Sequence, residues 1–252
     1  MITSRTSTAV LATLALGLSG CGDPVGNFFK GDDNAIAENG DAPPPDTLSP
    51  DDLPGGGDRG GSGSSSGAVL SLADGPDVCF REIAKKFGAD VKVSEITSFF
   101  GGGEGLDNIV ASPRGQMTSC SVSFQDPANP KKLLSASFDT RTGAFGDPRP
   151  VEITVMGGNA ADFRLSDYVI PLSRVNAAAL TGVMEAQKPR LSKVYGDYAW
   201  TGVRLSSPGA FSGTHTLRLD LSGRLAANDI KESGYASVSL DGKRITADYL
   251  MP

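Results

Sequence analysis

Along the C-terminal two thirds of this sequence, apolar positions switch between two periods. Phe80, Ile83, Ala84 and Phe87 recur at helical spacing behind Asp77, which can cap the first turn, so a helix is predicted to about Phe87. The period then drops to two. Cys120, Val122 and Phe124 alternate with Ser119, Ser121 and Ser123, and Leu134, Ala136 and Phe138 alternate with serines. Val151, Ile153 and Val155 give a third series, with turns expected at Asp126–Pro130 and Thr140–Gly143. The same order follows again. Ser173 caps a second predicted helix to about Lys188, ended by Pro189, with Val175, Ala179, Val183 and Ala186 on one stripe. Leu217, Leu219 and Leu221 then alternate with polar residues. Ala236, Val238 and Leu240 lead through Asp241-Gly242, a hairpin signal, to Ile245, Ala247 and Tyr249.

The N-terminal segment has a different logic. Arg5 precedes an apolar run from Ala9 to Leu18, too short to span a bilayer and followed by small residues, as in a secretory signal peptide. Leu18-Ser19-Gly20-Cys21 resembles the lipobox of bacterial lipoproteins. The resemblance implies cleavage after residue 20 and lipid on Cys21, holding the protein on a membrane by more than one acyl chain. Gly22 rather than Asp in second place implies the outer membrane, facing the periplasm, over the inner membrane or the cell surface. With Cys21 lipidated, Cys79 and Cys120 remain as a pair in an oxidising compartment, where a disulfide is expected.

Charge divides the chain further. The formal net charge is −6, yet nine acidic residues against Lys30 and Arg59 lie between Asp23 and Arg59, and the remainder from Pro76 is close to neutral. No basic field is left to attract nucleic acid. Residues 21–75 contain Ala42-Pro-Pro-Pro45, Pro54-Gly-Gly-Gly57 and a Gly/Ser run to Gly67, a composition too poor in large apolar groups to offset ordering entropy. This stretch reads as a disordered acidic tether with a root-mean-square reach of roughly 40 Å.

Set side by side, the two halves of the remainder share features. Ser112-Pro113-Arg114-Gly115 precedes one strand series and Ser207-Pro208-Gly209 the other. Ser135 to Asp139 lies before Thr142-Gly143, as Ala236 to Asp241 lies before Gly242. The expected fold class is α+β, a tandem repeat of one helix followed by three or four antiparallel strands, with repeats at 76–160 and 161–252. One continuous α+β domain without internal symmetry is the alternative. A helix followed by a small antiparallel sheet in an exported protein resembles PepSY-type domains. It is also similar to beta-lactamase-inhibitor-protein repeats and to small lipoproteins of outer-membrane assembly. This likeness of pattern brings no motif and no site residues. It implies protein binding rather than catalysis.

Candidate chemistry is sparse. His215 is the single histidine, and no Gly-x-Ser-x-Gly elbow presents a serine to it, so no catalytic residues are assigned. Neither His/Cys ligand sets for zinc nor an Asp/Gly calcium loop is present, and no metal or cofactor is expected. Gly101-Gly102-Gly103-Glu104-Gly105 lacks the Lys-Ser/Thr ending of a phosphate loop and reads as a mobile connection. Flanked by Phe99 and Phe100, it can also serve as a contact loop. Tyr195, Tyr198 and Trp200 form the densest aromatic group, which suits either a core or an interface. Phe99, Phe100, Tyr195, Tyr198 and Trp200 are the candidate partner contacts.

The expectation from sequence is therefore a membrane-anchored, non-catalytic module that binds, assembles or inhibits an envelope protein. A structural or surface-displayed lipoprotein is one alternative, and a binder of a small apolar or peptide ligand is another. For protein exported to the periplasm, intact mass after thiol alkylation should show Cys79 and Cys120 unmodified. Two alkylated thiols would rule out the disulfide.

Overall fold

The computed structural model describes residues 69–107, 112–155, 160–209 and 213–252. Cys21, the signal-peptide region and the acidic segment before residue 69 lie outside the described residues. Helix α1 (Val78–Phe87) is followed by β1 (Lys92–Phe100), β2 (Met117–Gln125), β3 (Leu133–Asp139), β4 (Ala144–Phe145) and β5 (Arg149–Val151). After β6 (Ile170–Pro171), α2 (Leu180–Val194) leads into β7 (Tyr195–Ser206), β8 (Thr216–Leu225), β9 (Lys231–Val238) and β10 (Ile245–Tyr249). The fold is mixed α+β, and these strands form one antiparallel sheet in the order β10-β9-β8-β7-β1-β2-β3-β4. β5 pairs with β3, and β6 with the start of β1. No helix among the described residues is long and apolar enough to cross a membrane.

Strand alternation makes two unlike faces. Ala136, Val122, Ile96, Leu205, Leu217, Val238 and Ile245 stand directly opposite one another in turn, an apolar row from β3 to β10. This face joins one core with Cys79, Phe80 and Ile83 of α1 and Leu180, Val183 and Leu191 of α2. Displaced by one residue, the row reads Ser137, Ser121, Thr97, Arg204, Arg218, Ser237 and Ala247, and it belongs to the other face. A one-residue step changes the face, so this register is fixed by burial.

The Cys79–Cys120 disulfide ties α1 to β2 within the core, with a Cα–Cα distance of 5.7 Å and both residues buried. The loop it closes, 41 residues in sequence separation, stabilises the fold by roughly 4 kcal/mol in the chain-entropy estimate.

Three expectations are corrected. Residues 69–75, assigned to the tether, are tied to the sheet: Met117 N–H donates to Leu70 O, Leu72 N–H to Gly115 O, and Leu70 and Leu72 pack on the core. Their apolar side chains supply what the Gly/Ser run lacks. The second helix starts at Leu180 rather than Ser173, after two 3-10 turns at Leu172–Arg174 and Ala177–Ala179. It then runs through Pro189 to Val194. Pro189 is exposed, and fully buried Leu191 anchors the turn beyond it, so packing overrides the breaker. The strand expected over Val151–Val155 stops at Val151.

Gly223 and Tyr195 show how tightly the second half packs. A Cβ on Gly223 would meet the Tyr195 ring at 2.5 Å, and the Tyr195 hydroxyl donates to Leu250 O at 2.8 Å. Tyr195→Phe leaves that buried carbonyl without its donor and should cost about 1–2 kcal/mol. Gly223→Ala should cost about 1–3 kcal/mol by overpacking. Thermal unfolding should show both with lowered midpoints, and an unchanged midpoint for Gly223→Ala would contradict this packing.

Candidate protein-docking face

The helices cover one face of the sheet, and the other presents a row drawn from six strands. Ser119, Phe99, Gly202, Asp220, Tyr235 and Tyr249 stand opposite one another in turn, from β2 to β10. The neighbouring row adds Arg204 and Arg218, which are themselves paired. Gly202 is required at its position, because a Cβ there would meet Asp220 Oδ2 at 2.7 Å and the Phe99 ring at 3.2 Å. Its bare backbone leaves the space beside β7 to a ring from β1 and a carboxylate from β8.

Asp220 organises the charges. Arg204 donates to it through Nε at 2.7 Å and Nη2 at 2.8 Å, and Arg218 donates through Nε at 2.7 Å. The Asp220 side chain is only 14% exposed, while those of Arg204 and Arg218 are 29% and 33% exposed. Each guanidinium also leans on an aromatic ring. Arg204 lies 5.7 Å from the Phe99 centroid, Arg218 lies 3.7 Å over Tyr235, and Tyr235 packs against Tyr249 at 5.0 Å. Phe99 and Tyr249 remain 40% and 59% exposed. The result is a chain of stacked aromatic and cationic groups, with Phe99 and Tyr249 exposed to solvent.

The glycine loop closes one end of this face. Gly101, Gly102 and Gly103 are buried, and the loop expected as a mobile connection is pinned by Asp107, which accepts from the N–H groups of Gly102 and Ser112 at 2.8 Å each. Leu106 is buried, and its carbonyl accepts from Lys231 Nζ; Gly105 O accepts from Arg224 Nε at 3.0 Å. Arg114 makes a two-pronged pair with Asp197 on β7 at 2.8 and 2.7 Å and also donates to Gly102 O. Burial opposes ionisation of Asp107, but the N–H groups of Ser112, Gly102 and Gly103, with Lys231 nearby, outweigh it and hold the carboxyl below its ordinary value. Asp197 is lowered chiefly by its hydrogen bonds from Arg114.

The five aromatic candidates separate. Phe99 lies on the open face, whereas its neighbour Phe100 is 3% exposed in the core, as adjacent strand residues must be. Tyr195 and Trp200 are buried with the core, and Tyr198 packs against it. Trp200, Met184 and Lys188 help line a groove of about 370 Å³ between the Leu72–Pro76 segment and α2. His215 Nε2 lies 3.2 Å from Tyr168 O, and burial lowers its pKa despite that contact. Among the described residues, no three His, Cys, Asp or Glu side chains gather as metal ligands. The residues that sequence reading passed over are Arg204, Arg218, Asp220, Tyr235 and Tyr249. Alternation with buried residues signals an outward face for the first four, whereas Tyr249 shares its expected series with Ile245 and turns outward through the pairing irregularity between Ile245 and Ala247, and only cross-strand register brings the five together.

No family model matches this chain, and no curated protein or solved structure matches it.

The loop should respond to pH with a definite sign. Because the folded-state pKa of Asp107 is depressed, its contribution is fully present above its ordinary value of 3.8 and is lost as pH falls through the lowered value. Protection of the Gly102 and Ser112 amides against hydrogen exchange should therefore fall on acidification below about pH 4. Asp107→Asn should reduce protection at neutral pH and remove most of that pH dependence, leaving the part due to Asp197. A full acid response in Asp107→Asn would assign the effect to another group.

Proposed function

We propose that this chain is a lipid-anchored protein of the bacterial envelope that binds another protein through the open face of its sheet, without catalysing a reaction. The carrying observation is the Phe99–Arg204–Asp220–Arg218–Tyr235–Tyr249 array on the face the helices leave uncovered. Aromatic and arginine side chains dominate binding energy at protein interfaces. Here they stand on paired strands, so a partner meets a surface already in order. The lipobox-like Leu18–Cys21 supports the anchor, with Gly22 favouring the outer membrane. The acidic segment before residue 60 supports a spacer between membrane and binding face.

Tandem duplication is part of this reading. Each half runs helix, then antiparallel strands, and the first long strand of each half, β1 or β7, meets the other at the middle of the sheet. On that arrangement the open face is composite, with Phe99 from one half and the arginines from the other.

The test is site-specific photocrosslinking in cells. A benzophenone amino acid at Ser237, on the open face, should capture one reproducible envelope protein, and the same group at Lys188, on the exposed side of α2, should not. Equal capture at both sites, or none at Ser237, would leave the displayed, partnerless lipoprotein as the better reading. Cys21→Ser should weaken capture by releasing the chain from the membrane while leaving its circular dichroism unchanged.

A further inference from the structure

Granting that the open face binds a protein, we infer that Arg204 and Arg218 form a carboxylate-receiving site at its centre, and that the partner presents an Asp or Glu side chain beside an apolar one. The geometry of donors carries this. A guanidinium offers five N–H groups. Asp220 receives Arg204 Nε and Nη2 and Arg218 Nε, and these are the hydrogen bonds these two side chains make within the described residues. Nη1 of Arg204 and both terminal nitrogens of Arg218 are left for an acceptor from outside.

Asp220 does not satisfy the pair; it aims it. One carboxylate between two guanidiniums leaves a single net positive charge, and it holds both planes by their Nε edges. Stacking on Tyr235 fixes Arg218, and Phe99 flanks Arg204, so little side-chain freedom is lost when an acceptor arrives. The fork matches the two oxygens of a carboxylate.

The chemistry around the fork selects the source of that oxyanion. A net charge of one, partly screened at physiological salt, holds free phosphate or a lipid headgroup weakly. Exposed Phe99 and Tyr249 gain only if apolar groups cover them and drain water from the guanidiniums. A folded or extended protein segment does both at once. Removing one partner of a charge pair desolvated in this way weakens binding far more than removing a rim charge.

The test uses the full chain with nitrogen-15-labelled arginine and reads the Nε–Hε signals of Arg204 and Arg218. The probes are N-acetyl-Phe-Asp-amide, N-acetyl-Phe-Asn-amide, inorganic phosphate, phosphatidylglycerol vesicles and a synthetic peptide of residues 31–59. The Asp dipeptide should shift both signals saturably, with the Asn dipeptide about tenfold weaker. Arg218→Gln should weaken the Asp dipeptide by a similar factor and leave the Asn dipeptide unchanged. If Arg218→Gln loses its folded circular dichroism, Arg218→Lys keeps the charge without the fork, and the same loss is expected. Equal response to Asp and Asn, no response, or undiminished affinity in the variant overturns the site. So does a response confined to phosphate, to vesicles or to the 31–59 peptide, which would name a free anion, the membrane or the chain's own acidic segment as occupant. Failure here with crosslinking retained at Ser237 removes the carboxylate site alone. Loss of crosslinking at Ser237 removes the docking face itself.

Discussion

Everything on the open face depends on a short seam. β1 and β7 pair through four residues on each side, Ile96 to Phe99 against Gly202 to Leu205. Without it the two strand groups would be separate sheets, each with an exposed inner edge. The seam is locked from the core side. Ile96 opposes Leu205, Ser98 opposes Val203, and the fully buried Ser98 hydroxyl donates to Val203 O at 2.7 Å. That bond satisfies a hydroxyl whose burial would otherwise be costly. Irregularities between Phe99 and Phe100 and between Trp200 and Gly202 bound the seam at one end. The second of these lets Trp200 and Val203 both face the helices although an odd number of steps separates them.

The two faces of the sheet then follow from composition. On the core side, branched aliphatic residues from the central strands meet two helices, one held by a disulfide and the other continued past a proline by Leu191. On the open side the first half carries serines, Ser121, Ser123, Ser135 and Ser137, which need no cover. The second half carries arginine, aspartate and tyrosine. Hydrophobic drive fixes the register, and the register places the charged and aromatic groups, so the site is a consequence of core packing rather than of loop conformation. Only the glycine loop departs from this, and it too is fastened, by Asp107 beneath it and by Arg224 and Lys231 from the sheet.

Much of this architecture was legible in periodicity. Helix α1, the strands around Val122, Ala136, Leu219 and Val238, and the Asp241-Gly242 turn lie where periodicity and turn chemistry put them, although the Asp77 side chain pairs with Arg81 instead of capping α1, and Cys79 and Cys120 are joined as expected. The two strands that make the seam were harder. Lys92–Phe100 alternates poorly, because Ser94 and Ser98 are buried polar positions and the pairing irregularity between Val93 and Glu95 shifts the phase. In β7 the irregularity at Thr201 breaks the alternation in the same way. Aromatic density drew attention to Tyr195, Tyr198 and Trp200, which the phase before that break turns toward the core. Arg204, just beyond it, is on the open face. Exposure of a single aromatic depends on strand parity, and parity cannot be read through a bulge.

A binding surface on central strands has a physical consequence that a loop surface lacks. Backbone ladders on both sides hold β1, β7, β8 and β9, so binding orders few new dihedrals and specificity rests on side-chain identity. On the proposed function, such a face would discriminate by chemistry at two or three points and would reject a segment that leaves the guanidiniums covered but unpaired. Arg204 is paired by a carboxylate from the next strand and flanked by a ring from the other half. Exchanging it for lysine would keep the charge and lose the fork, and the aromatic groups would then bind with less power to choose among partners.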